Sequence, residues 1–134
     1  MPTFGKREHL CLSRDIDHLF AVSRQSAAAY PVRAAWCRVP RKADTPVVQV
    51  LLSVAKRRLR HAVDRNRAKR QLREAYRLQK QGLWDAMQGQ SETMLHVAFV
   101  WLSDKPMRTE RVMHSMAVLL RQIVKAEQSA PPAL

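Results

Sequence analysis

Residues 56 to 80, KRRLRHAVDRNRAKRQLREAYRLQK, constrain this chain more than any other stretch. Eleven of the chain's 24 Lys and Arg residues fall there against two acids, Asp64 and Glu74, which accounts for +9 of a net +13. From about Arg60 onward the stretch has no Pro or Gly and is rich in helix formers, so a long helix is expected. On a wheel of about 100° per residue, Ala68, Leu72, Ala75, Tyr76 and Leu83 cluster on one side. Arg65, Lys69, Arg70, Arg73, Arg77 and Lys80 share an adjoining arc of roughly 140°, with Asn66 in its middle. Any fold must therefore dock the apolar stripe and leave the cations facing outward. Like charges at i,i+4 (65/69, 69/73, 73/77) repel by a few tenths of a kcal/mol each. A face kept only for solvation would interleave Glu. An anionic partner makes the arrangement favourable, and the density of charge points to nucleic acid phosphate.

At 134 residues with 46% hydrophobic residues, the chain is long and apolar enough for one domain with a real core. That domain is expected over residues 1–128, with 129–134 as a disordered tail. Residues 1–12 are basic and irregular, with Phe4 and Leu10 as anchors. Ser13 suits an N-cap, with Asp15 and Asp17 in the first turn, and Ile16, Leu19 and Phe20 form an apolar stripe on a short helix over about 13–25. Residues 30–39 read as a strand with Tyr30, Val32, Ala34 and Trp36 on one face. Val47 to Val54 is apolar on both faces and is expected as a central strand. After the basic helix, 82–93 reads as a polar connector with some helix around Trp84. A third strand follows over 94–102, with Leu95, Val97, Phe99 and Trp101 on one face. The last helix, 108–127, carries Val112, Met113, Met116, Leu119, Leu120, Ile123 and Val124 at helical spacing. The periodicity gives an α+β domain in the order α-β-β-α-β-α, a small sheet covered by helices.

No protein-borne active site emerges from the sequence. His9, His18, His61, His96 and His114 are scattered, none at zinc-ligand spacing. The three glycines exclude a Gly-rich phosphate loop. A metal-dependent nuclease made of protein needs converging carboxylates, whereas the eleven acids are dispersed. Neither catalytic nor metal-ligating residues are therefore expected. No run approaches 18 apolar residues and the N-terminus lacks a signal-peptide core, so no membrane association is expected. Cys11 and Cys37 make no disulfide framework and read as reduced thiols of a cytoplasmic protein.

The basic stretch also has a specific order of letters. Ser53-Val54-Ala55-Lys56-Arg57 leads into Ala62-Val63, then Arg65-Asn66-Arg67, Lys69-Arg70 and Arg73-Glu74. In order and spacing this closely resembles the signature of the bacterial ribonuclease P protein subunit family. The resemblance implies a ribosomal-protein-like fold with a left-handed βαβ crossover and usually a fourth short strand. It implies that the RNA subunit is the catalyst, removing the 5′ leader of precursor tRNA with Mg²⁺ held mainly by the RNA, and that no protein partner is required. Lys56, Arg57, Arg58, Arg65, Asn66, Arg67, Lys69, Arg70, Arg73 and Arg77 would then bind the catalytic RNA, mainly through phosphate and shape. A cleft between the first helix and the sheet would hold the leader. Phe20 matches a family aromatic there, Ile16 stands where Phe is usual, and Trp36 would replace a strand aromatic.

The rival of a different class is a non-enzymatic ribosomal or ribosome-assembly RNA-binding protein, which the same charge permits but which has no reason to carry the full signature. A DNA-binding helix and a membrane-surface protein fit less well, since the chain lacks a helix-turn-helix pattern and its basic face adjoins a core-docking stripe.

Overall fold

The computed structural model describes residues 4–10, 13–22, 25–42, 45–88 and 92–129. The apolar stripe of the basic helix lies in its core, as the wheel requires. Helix α1 spans Ser13–Val22, α2 Ala62–Gln79, α3 Gln81–Met87 and α4 Thr109–Ser129. Strands β1 (Gln25–Ala29), β2 (Val32–Pro40), β3 (Val48–Ser53) and β4 (Thr93–Trp101) form one sheet in the order β1-β2-β4-β3. The β1/β2 and β2/β4 pairs are antiparallel, and β3 runs parallel to β4, with α2 and α3 in the connection between them.

Strand alternation divides the core between the two faces of the sheet. Val32, Ala34 and Trp36 of β2, Val48 and Val50 of β3, and Leu95, Val97, Phe99 and Trp101 of β4 pack with α2 and α4. Leu72 and Tyr76 of α2 and Met116, Leu119 and Ile123 of α4 are fully buried there. The opposite parity, Cys37, Leu51, Ala98 and Val100, meets Leu10 and the Ile16 and Leu19 stripe of α1. Two glutamines fasten α2 to α4 and to the segment that leads into it: Gln71 Nε2 donates to the Met107 carbonyl at 2.9 Å and Gln79 Nε2 to the Met113 carbonyl at 3.0 Å.

Several expectations require correction. The Val48–Ser53 strand lies at an edge of the sheet, not at its centre. Its two-sided apolarity arises because one face meets α2 and the other the α1 cluster. Part of its outer edge is covered from the N-terminal side, where the Leu10 N–H donates to the Val50 carbonyl at 2.9 Å and His9 bridges Val50. Covering an edge in this way satisfies backbone groups that would otherwise recruit another chain. The first helix ends at Val22, and Gln25–Ala29 is a strand that periodicity did not reveal. Its Ala run reads as helix by propensity, but pairing with β2 across the Tyr30–Pro31 turn prevails. It supplies the fourth short strand that the resemblance implied. The polar connector is largely α3, with Leu83 and Met87 buried one turn apart. Ser13 is the first residue of α1. Of the expected tail, Ser129 closes α4, and 130–134, like Cys11, lie outside the described residues.

Trp36 also departs from its expected place. It faces α4, 3% exposed, and its indole N–H donates to Glu127 Oε2 at 3.2 Å, while Arg38 Nε donates to Glu127 Oε1. Trp36 therefore lies across the sheet from α1 and cannot line a cleft beside that helix. The alternation that groups it with Val32 and Ala34 determines this.

On the α1 face, His96 is 2% exposed, with no hydrogen-bond partner for either ring nitrogen among the described residues. Burial lowers its pKa from 6.5, opposed by Asp15 and aided by Lys42 and His18. The unfolded chain thus binds the proton more readily than the folded one. The stabilising contribution is complete above the unfolded value and is lost as pH falls through the depressed folded value. Urea unfolding at pH 7 and pH 5 should show a loss of stability on acidification that is smaller in His96→Leu. An identical loss in the variant would place the pH dependence elsewhere.

Candidate nucleic-acid interface

The exposed face of α2 separates cations that serve the fold from cations that face solvent. Asn66, Arg67, Lys69, Arg70 and Arg73 are exposed, and none of these four cations has an ion-pair partner among the described residues. Val63, 78% exposed, adds an apolar contact at the start of the helix. The remaining members of the expected strip are engaged. Arg65 Nη1 donates to the carbonyls of Leu59 and Arg60, both at 2.8 Å, tying the first turn of α2 to the preceding loop. His61 at the N-cap makes no side-chain cap bond, so Arg65 holds this helix end by another route. Arg77 forks Glu74, with Nε and Nη2 donating at 2.8 and 2.7 Å. That bond holds the Glu74 carboxyl below, and the Arg77 guanidinium above, their usual ranges. Lys80 is buried against Glu8 at 2.5 Å.

The basic loop before α2 is anchored by Leu59, 3% exposed, which the sequence reading passed over inside the charge run. Around that anchor Lys56 and Arg57 are exposed, and Arg58 pairs with Asp104 at 3.3 Å. At the other margin, Lys69 and Arg73 border a groove of about 160 Å³ with His9 and Leu51. His9 stacks on Phe4 with ring centroids 4.0 Å apart, and its pKa is lowered by burial and then by the Arg73 charge. Leu51 belongs to the cluster that seats Ile16 and Leu19, so this groove leads from the cationic helix toward the α1 face. Ile16 is half-buried in that cluster, and Phe20 at the end of the same helix is 48% exposed. The structure thus keeps Ile16 and Phe20 together on α1 and leaves Trp36 on the far side.

The arrangement can bind extended anions through forked guanidiniums and point-charge ammoniums carried on one helix. No group of three or more His, Cys, Asp or Glu residues among the described ones is placed to hold a metal ion. No helix among them is long and apolar enough to cross a membrane.

The Ribonuclease P family model matches residues 4–124. The ribonuclease P protein component of Porphyromonas gingivalis (strain ATCC BAA-308 / W83) is 40% identical over 106 residues, covering 78% of this chain and 75% of that protein. That of Chlorobium phaeobacteroides is 56% identical over a shorter run of 43 residues, 32% of this chain and 30% of that protein. Among solved structures, the RNase P protein of Staphylococcus aureus matches with a TM-score of 0.63 at 18% identity, covering 87% of this chain and 94% of that one. This last likeness is one of fold.

Two arginines on α2 test the division between structural and exposed cations. Arg65→Ala removes charged hydrogen bonds to two carbonyls and should cost about 1–2 kcal/mol in urea unfolding. Arg70→Ala, on the solvent face, should stay within about 0.5 kcal/mol of the parent. Equal effects would contradict the division.

Proposed function

The chain belongs to the ribonuclease P protein family, components of the ribonucleoprotein endonuclease of tRNA processing that partner the ribonuclease P RNA, and from that premise we propose how it acts. It binds the catalytic RNA through the exposed ridge of α2 and helps hold the 5′ leader of precursor tRNA beside α1. The observation that carries this reading is the ridge itself. Arg67, Lys69, Arg70 and Arg73 face solvent around Asn66, while neighbouring cations are drawn into the fold.

The roles divide by chemistry. Arg67, Arg70 and Arg73 fork phosphates, Lys69 adds a point charge, and Asn66 donates and accepts at RNA edges. Lys56 and Arg57 extend the contact beyond the start of α2, with Arg58 beside them held toward Asp104. Arg65 and Arg77 serve RNA binding chiefly by fixing the helix that carries the others. Phe20 offers a ring on which an unpaired leader base stacks, and Ile16 supports it from the cluster beneath. Trp36 has no part in this.

Catalysis in this reading belongs to the RNA. Mg²⁺ would be held mainly by the RNA, where it would supply charge stabilisation and activated water for phosphodiester hydrolysis. The protein lowers the electrostatic cost of bringing two polyanions together, so less Mg²⁺ is needed. No further protein partner is required, and the setting is the cytoplasm.

The test is the salt dependence of binding to the catalytic RNA. Each phosphate contact contributes a slope of roughly 0.7–0.9 in log K against log salt, so replacing Arg67, Lys69 and Arg70 with Ala should flatten the slope by about 2–3. An unchanged slope would place the interface on another surface.

A further inference from the structure

A second cationic and aromatic cleft lies beyond the C-terminal end of α2, and none of its lining residues belongs to the ridge or to α1. Its volume is about 580 Å³, and its lining includes Lys6, Arg7, Thr45, Pro46 and Trp84. Clefts of about 300–1,000 Å³ are the usual size for small ligands or single chemical units of larger ones. From Arg70 to Lys80 the axial rise of a helix amounts to about 15 Å, so the cleft is separate from the centre of the ridge.

Internal bonds fix the groups around this cleft. The 3-10 turn Lys6–Glu8 is held by its acid: Glu8 Oε1 accepts from Lys80 Nζ at 2.5 Å, and Glu8 Oε2 accepts the Gly5 N–H at 2.9 Å. Glu8 is thereby buried and its charge matched. Lys6 and Arg7, on the same turn, are left exposed with no ion-pair partner among the described residues. On α3, the Trp84 N–H donates to Tyr76 Oη at 3.0 Å, and Lys80 Nζ lies 4.8 Å from the indole centroid. The ring is therefore held in place while its side chain stays half-exposed at the cleft. A fixed indole beside two free cations, with the lining carboxylate already neutralised, suits a nucleobase flanked by phosphates. The base must be unpaired, since a paired base has no face free for a side chain.

We propose that the cleft between the Lys6–Glu8 turn and Trp84 is a second binding site, which takes one unpaired nucleotide of single-stranded RNA. The base stacks on the Trp84 indole, and Lys6 and Arg7 neutralise the adjoining phosphates. The proposal rests on the reading of this chain as an RNA-binding subunit, and it assigns a strand contact to the N-terminal turn and α3 that the ridge and α1 do not provide.

Tryptophan emission tests it. Of the three tryptophans, Trp36 and Trp101 are buried at 3% and 0% exposure, so Trp84 is the indole a ligand can reach. The full chain is titrated with an oligouridylate of roughly four to six nucleotides, followed by emission and by anisotropy of a labelled copy. Saturable quenching is expected. It should weaken about tenfold in Lys6→Gln/Arg7→Gln, whose changes are at exposed side chains, and persist in Arg67→Ala/Arg70→Ala. Binding seen by anisotropy without quenching would overturn the proposal. So would quenching unaffected by Lys6→Gln/Arg7→Gln or abolished by Arg67→Ala/Arg70→Ala. If the parent chain fails to bind or assist the catalytic RNA while the quenching pattern holds, the subunit reading falls and the nucleotide site stands.

Discussion

The exposed basic ridge depends on how α2 is docked. One stripe of the helix is buried while the adjoining arc carries uncompensated like charge. Each repulsive i,i+4 pair costs a few tenths of a kcal/mol. Against this, fully burying side chains such as Leu72 and Tyr76 contributes roughly 1.5–3 kcal/mol each. The burial term is larger, so the helix can hold a charge pattern that would be unfavourable in isolation. Tyr76 is central to that docking. Its ring meets Phe99 of the sheet and Phe4 of the N-terminal segment, with centroids 5.9 and 5.3 Å apart, and its hydroxyl accepts the Trp84 N–H. Burial raises the phenol far above its usual range, so it stays neutral.

The same helix distributes its cations between two tasks. Arg65 bonds to loop carbonyls, Arg77 to Glu74 and Lys80 to Glu8. These three make the scaffold rigid at the start and end of α2. Breaking a buried pair such as Lys80–Glu8 by removing one partner typically costs about 3–5 kcal/mol, because the other charge is left unmatched. The cations between them, Arg67, Lys69, Arg70 and Arg73, have no ion-pair partner among the described residues, and under the proposed function their presentation on a fixed helix lowers the cost of ordering them when RNA binds.

Legibility in the sequence followed the strength of periodicity. The α2 stripe, the 95/97/99/101 face of β4 and the broad stripe of α4 could all be read, because alternation and helical spacing run unbroken there. The Ala-rich β1 could not, since its five residues carry no contrast between faces and only pairing with β2 defines them. The edge position of β3 was hidden because helices on both faces produce the same composition as a central strand. Leu83 and Met87 at i,i+4 could have revealed α3. In the site, exposure of Asn66, Lys69, Arg70 and Arg73 followed from the wheel and Arg67 came in through the signature resemblance, but a wheel assigns directions and not bonds. It could not foresee that Arg65 turns back to Leu59 or that Lys80 finds Glu8, 72 positions away. Trp36 shows how an aromatic of the right type can sit on the wrong face: the alternation identified its strand neighbours, and the position of α4 decided what that face met.

The most direct measurement is 5′-leader cleavage of a precursor tRNA at low Mg²⁺, comparing catalytic RNA alone, this protein alone and the two together. Cleavage in the mixture, with neither component active by itself at that Mg²⁺ concentration, is the result this account predicts. Cleavage by the protein alone would contradict it by requiring an active site among its own side chains. RNA binding without any gain in cleavage would contradict it from the other side, leaving an RNA-binding protein that does not assist the reaction.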